Sequence, residues 1–188
     1  MLVYARYLVD RLRLPRARAD SVREVRRRLE EQRGACAVGH EEVRLARELR
    51  RLREELSVAF GSLESCRSCA RPPSRLWPGG HCCGGRAESL FTDDELAALK
   101  LSGTTPGRLR PPRADLAGCP FREPAGCSLA PADRPSVCVR YVCLSLEREL
   151  RQRGDRQAIA ALQTELAVAF RRFVALRAAR IERETFPQ

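Results

Sequence analysis

A mainly α-helical protein is expected, with antiparallel helical arms flanking a loop-rich, cysteine-rich metal-binding module. Three observations lead there. Eight of the nine cysteines lie between Cys66 and Cys143. Ten of the twelve prolines and eight of the twelve glycines fall between Pro72 and Pro135. On both sides of that stretch the chain is charged and carries leucines at helical spacing. The divisions that follow are residues 1–64 for an N-terminal arm, 65–144 for the cysteine module and 145–188 for a C-terminal arm. The three are expected to pack as one domain.

In the N-terminal arm, Met1–Leu14 can form a short amphipathic helix that Pro15 limits. Ser21-Val22-Arg23-Glu24 has the pattern of a capping box, which predicts a helix start there. Val22, Val25 and Leu29 give that helix a narrow apolar stripe, and Gly34 is placed to stop it in a left-handed conformation. Cys36 follows in a loop, remote in sequence from the other cysteines, and reads as a free thiol or a packing residue. His40 reads as a helix-start residue. From Glu41 the residues Leu45, Leu49, Leu52, Leu56, Ala59 and Leu63 step by 4, 3, 4, 3 and 4, a heptad stripe that runs almost into Cys66.

The C-terminal arm mirrors this. Leu144–Arg153 reads as a short helix directly after Cys143. Gly154-Asp155 offers a break and a cap. Ile159, Leu162, Leu166, Ala169, Phe173 and Leu176 then step by 3, 4, 3, 4 and 3. Two such stripes suit an antiparallel pair in which each buries the other; homodimerisation through one exposed stripe is the alternative. The arms also share a short likeness, Glu55-Leu56-Ser57-Val58-Ala59-Phe60 and Glu165-Leu166-Ala167-Val168-Ala169-Phe170, too brief to define a repeat. Inside the module, Thr92-Asp93-Asp94-Glu95 is a second capping box, and Phe91 and Leu96 occupy hydrophobic-staple positions. Its acids meet the helix dipole, which accounts for them without a catalytic role. Gly103 ends that helix.

Hydrophobic residues make up 44% of the chain, which argues against wholesale disorder. No apolar run approaches the ~20 residues of a membrane span, so no membrane partner is expected. The opening Met1-Leu2-Val3-Tyr4-Ala5-Arg6 lacks the basic, apolar and small-residue regions of a signal peptide, so a cytoplasmic location is expected. The formal charge is +11, and Lys100 is the only lysine among the 35 basic residues. Eight thiolates around two divalent ions would lower that charge to about +7. The basicity permits nucleic-acid binding, but an aromatic content of 5% offers few stacking platforms.

The compartment decides how the cysteines read. In a reducing cytosol clustered thiols bind metal or do redox chemistry more often than they form disulfides. Cys66-x2-Cys69 has a gap that lets both sulfurs of one turn reach one ion. A thioredoxin-type redox pair is the rival, but it wants a strand–helix context that Arg71-Pro72-Pro73 does not supply. His81-Cys82-Cys83-Gly84-Gly85 follows, then Cys119, Cys127 and Cys138-x4-Cys143. Eight sulfurs can fill two four-sulfur sites, or one site with thiols to spare. The metal-ligand candidates are Cys66, Cys69, Cys82, Cys83, Cys119, Cys127, Cys138 and Cys143, with zinc or an iron–sulfur cluster as the cofactor. His81 is a further ligand candidate or a bystander. Arg134 and Arg140 can bond sulfurs or carbonyls around a site, or lie plainly on the surface. Tyr141 reads as packing, and Trp77 as a cover over the site.

The second half of this series resembles a known family. Cys119-Pro120-Phe121, Gly126-Cys127-Ser128-Leu129 and Arg134-Pro135-Ser136-Val137-Cys138-Val139-Arg140-Tyr141-Val142-Cys143 look like the tail of the YkgJ-type cysteine-cluster proteins, described as zinc- or iron-chelating. That family opens with CxxCxxxCC, continues through a small helix, where Thr92–Leu101 sits here, and closes with a C…GC pair and an RP..C..y.C ending. In this chain twelve residues, not three, separate Cys69 from Cys82-Cys83. The resemblance covers about Cys66–Cys143 and implies the same eight cysteines as ligands, without a settled activity.

No Ser–His–Asp set, Walker loop or dinucleotide fingerprint occurs, and His40 and His81 are the only histidines. The sequence therefore supports a non-enzymatic metal-binding protein first. An iron–sulfur redox or protein-methylation-linked enzyme component comes second, since some relatives in that family look like flagellin lysine methylases. A zinc-dependent nucleic-acid binder comes third.

Overall fold

The computed structural model describes residues 17–61, 63, 90–110, 119–123 and 126–186. The expected helix over 1–14 lies outside them, as do Cys66, Cys69, Trp77, His81, Cys82 and Cys83. Six α-helices organise the described residues: α1 (Ala17–Glu31), α2 (His40–Gly61), α3 (Asp93–Leu101), α4 (Ser136–Arg140), α5 (Leu144–Arg153) and α6 (Arg156–Thr185). The one sheet among them is a small antiparallel hairpin, β1 (Arg122–Glu123) with β2 (Gly126–Cys127), in which Arg122 faces Cys127 and Glu123 faces Gly126.

The longest interface joins α2 to α6. Both expected stripes lie in it. Leu45, Leu49, Leu52, Leu56 and Leu63 from the first arm are almost wholly buried, as are Ile159, Leu166, Ala169 and Phe173 from α6. Glu41 and Glu42 open α2, and they pair with Arg172 and Arg180 far along α6. The two helices therefore run antiparallel. With both seams covered inside one chain, neither stripe is open as a dimer seam, which corrects that alternative. Within the shared Leu-x-Val-Ala-Phe likeness, Leu56 and Leu166 are buried, whereas Val58 and Val168 are exposed.

Helix α3 sits between two apolar clusters. Ala97, Ala98 and Leu101 join the α2–α6 cluster. Leu96 and Leu99 join a second cluster with Val22, Val25 and Leu29 of α1, Phe91, Leu109, Phe121 and Leu129. Apolar residues on more than one face let the helix pack against both clusters, while Asp93 stays largely exposed. The Phe91 and Phe121 rings meet with centroids 5.4 Å apart and planes tilted by 56°, an arrangement that aromatic quadrupoles favour.

Several punctuation signals are confirmed. Thr92 caps α3, its hydroxyl accepting from the Glu95 amide at 3.2 Å. Gly103 and Gly154 take left-handed φ values of 95° and 76° after α3 and α5. Helix α5 has the expected span. Others are corrected. Helix α1 already includes Ala17-Arg18-Ala19, upstream of the Ser21 capping box, so that box does not start it. It ends at Glu31, and Gly34 has φ −78°, so Gly34 makes no left-handed stop. Asp155 precedes α6 without a side-chain cap bond. No helix among the described residues is long and apolar enough to cross a membrane.

Candidate metal centre

Four of the eight ligand candidates are described, and they fall into two pairs. Cys119 is buried in the second apolar cluster, and the half-buried Cys127 packs against the same cluster. The hairpin joins them: Ser128 N donates to the Phe121 carbonyl at 2.8 Å. The Ser128 hydroxyl lies 3.0 Å from the same oxygen and 3.2 Å from the Arg110 carbonyl. A hairpin with two-residue strands has little stability of its own. Phe121 and Leu129, buried in α3's cluster, hold it in place.

The second pair lies in α4 and just before α5. Cys138 lies within α4, half-buried, and its N–H donates to the Pro135 carbonyl at 3.0 Å. Cys143 is the residue before α5, and its carbonyl accepts from Glu147 N at 2.8 Å. Its half-buried thiol side packs on the α2–α6 cluster, which also contains Phe60 and Leu63. Among the described residues no three Cys, His, Asp or Glu side chains converge as they would around a metal ion. Cys36 is exposed in a short 3-10 turn and is a free thiol.

A buried polar network holds the second pair to the helices. Arg53 lies on α2 with none of its surface exposed. Its Nη2 donates to Glu95 Oε2 at 2.7 Å and to Ser136 Oγ at 3.2 Å. The other carboxylate oxygen of Glu95 accepts from Ser136 N at 2.9 Å, at the first residue of α4. Burial pushes the Arg53 guanidinium below its ordinary pKa, and the charges of Glu95 and Asp133 oppose that shift. Its Nε and Nη1 meet no hydrogen-bond partner among the described residues.

Asp133 adds a second grip. It is fully buried, and Thr104, just past α3, donates to its Oδ1 at 2.7 Å. Arg108 Nε stands 3.0 Å from Oδ2, an ion-pair contact without the alignment of a hydrogen bond. Arg134 Nε donates to the Leu129 carbonyl at 3.1 Å, so this arginine does serve a carbonyl. Arg140 is exposed, and its carbonyl accepts from Gln163 of α6 at 2.8 Å. Tyr141, the residue after α4, is 46% exposed.

The capping reading of the three acids on α3 needs a correction at one position. Glu95 does not reach back to Thr92; its carboxylate serves Arg53 and Ser136. Asp93 pairs with Arg28 at 2.7 Å, and Asp94 with Arg177 at 2.8 Å. A signal for Arg53 was present. It stands four residues after Leu49 and one after Leu52, within the width of an apolar helix face. A charge there needs a buried partner.

No protein-family model, curated protein or solved structure matches this chain.

Proposed function

We propose that this is a non-enzymatic metal-binding protein. The thiolates of Cys66, Cys69, Cys82, Cys83, Cys119, Cys127, Cys138 and Cys143 hold zinc or an iron–sulfur cluster on a helical scaffold. The resemblance of Cys66–Cys143 to the YkgJ-type cluster proteins points the same way. One observation carries the reading. Leu63, three residues before Cys66, and Cys143 share the α2–α6 cluster. The chain before the series, at Leu63, and the last cysteine, Cys143, therefore belong to one packed body. The donor chemistry fits: Cys127, Cys138 and Cys143 are half-buried, so a sulfur can be shielded on one side and open on the other. Thiolate donors suit zinc and iron–sulfur centres alike. A metal held there would add stability on the order of 10 kcal/mol per structural zinc, in a segment rich in proline and glycine.

Elemental analysis of the untagged protein, purified without oxygen, tests this. One or two zinc ions per chain, or iron with sulfide and absorbance near about 400 nm, is the expected result. A metal-free protein with all eight thiols open to alkylation would overturn it, as would disulfides mapped among them.

A further inference from the structure

We propose that Arg53, Glu95, Thr104 and Asp133 are positioning residues for the metal centre: a buried clamp that fixes the start of α4 and so places Cys138 and Cys143. The proposal rests on the metal-binding reading above.

The clamp has two jaws on either end of α3. At its start, Glu95 accepts the Ser136 amide at 2.9 Å while Arg53 holds the other carboxylate oxygen at 2.7 Å. Beyond its end, Thr104 grips Asp133 at 2.7 Å. Between them lie Arg134 and Pro135, and Cys138 comes two residues after Ser136. A five-residue helix such as α4 cannot hold its own position. Val139 anchors it by apolar contact and Gln163 of α6 bonds its last carbonyl, at Arg140, while the restraint at its first residue is polar and buried. Four charged groups take part, Arg53 and Arg108 against Glu95 and Asp133, so the network is formally neutral. Simple packing would be served by leucines here at least as well as by a desolvated ion pair. What leucines would not supply is a directional bond to one chosen backbone amide.

Metal-ligating groups depend on outer partners that fix their orientation. The clamp supplies this at the level of the backbone. Cys143 then follows through Val142, and α5 continues from it.

Zinc affinity of the full chain, measured by competition with a chromophoric chelator, tests the clamp beside urea-unfolding midpoints of the metal-free protein. Glu95→Ala removes the acceptor of the Ser136 amide and is expected to weaken zinc about 10- to 100-fold. Glu95→Gln keeps an amide oxygen for that N–H. It should hold affinity within about threefold of the parent, although its unfolding midpoint drops as Arg53 loses its counter-charge. Leu45→Ala, near the start of α2 and at the other end of the seam from Phe60 and Leu63, should lower the midpoint and leave zinc affinity alone. Thr104→Val, a milder change, should weaken zinc by several-fold and covers the case in which Glu95→Ala does not fold. Affinity that merely tracks the unfolding midpoint across these variants would overturn the clamp, as would an unchanged affinity in Glu95→Ala. A parent chain that takes up no zinc and no iron fails the metal-binding reading first, and the clamp falls with it.

Discussion

Arg53 and Glu95 form a salt bridge of 2.7 Å between α2 and α3 with almost no solvent contact on either side chain. Such a pair is costly to desolvate, and its removal as a pair differs from its rupture. Rupture by Glu95→Ala leaves a buried guanidinium with Ser136 Oγ as its remaining bond. A loss of about 3–5 kcal/mol in unfolding free energy is expected. The double change Arg53→Met with Glu95→Leu should recover most of it. Urea titration followed by circular dichroism measures both. A double variant as weak as the single would mean that the pair itself, not the stranded charge, supplies the stability.

The α2–α6 seam makes a sharper contrast within one helix. Leu49 is fully buried and Val58 is 71% exposed. Leu49→Ala should cost about 2–5 kcal/mol, through lost burial and the cavity left behind. Val58→Ala should change stability by no more than about 0.5 kcal/mol. Comparable losses at both positions would show that Val58 is covered by something other than the described residues.

These two cases also mark what the sequence made legible. Heptad steps reveal which residues face inward, because burial follows directly from helical period. The seam from Leu45 to Leu63 and its counterpart from Ile159 to Phe173 were readable for that reason. The helix stops at Gly103 and Gly154 were readable from their places at the ends of helical segments. Gly34 was misread because nothing local distinguishes a left-handed glycine from an extended one. The role of Glu95 was hidden by a sufficient local explanation, the capping box. Its true partners, Arg53 and Ser136, are 42 and 41 residues away in sequence. Long-range polar pairing leaves no period to read. At the candidate metal centre, spacing singled out Cys119, Cys127, Cys138 and Cys143, but not that Cys119 and Cys127 pack on one apolar cluster and Cys143 on the other.

Acid should destabilise the fold. Hydrogen bonds from Arg27, Arg44 and Arg156 hold the carboxyls of Glu24, Glu41 and Glu147, respectively, below their ordinary range. A carboxylate with a depressed folded pKa contributes stability that is complete above its unfolded pKa. That contribution is lost as pH falls through the folded value. The melting temperature should therefore hold between about pH 7 and pH 5, then decline below about pH 4. All three glutamates reach solvent, so about 1 M salt should flatten the decline. A melting temperature that rises on acidification would contradict this assignment. Glu147→Gln should shave part of the slope, since Glu147 also receives Arg151 at 2.9 Å.

Two glycines test the backbone directly. Gly154 has φ 76°, and its N–H donates to the Arg151 carbonyl at 3.3 Å, closing α5. No atom lies within 4 Å of where a Cβ would stand, so the whole penalty of Gly154→Ala comes from the left-handed backbone. That penalty is about 1–2 kcal/mol. Gly34 has the same open surroundings but φ −78° and ψ 169°, which alanine adopts without strain. Gly34→Ala should therefore stabilise the protein by about 0.4–1 kcal/mol, by restricting the unfolded chain. Thermal melts of the two variants should move in opposite directions from the parent. Destabilisation by Gly34→Ala of the size seen at Gly154 would return Gly34 to the left-handed role that its place after α1 suggests.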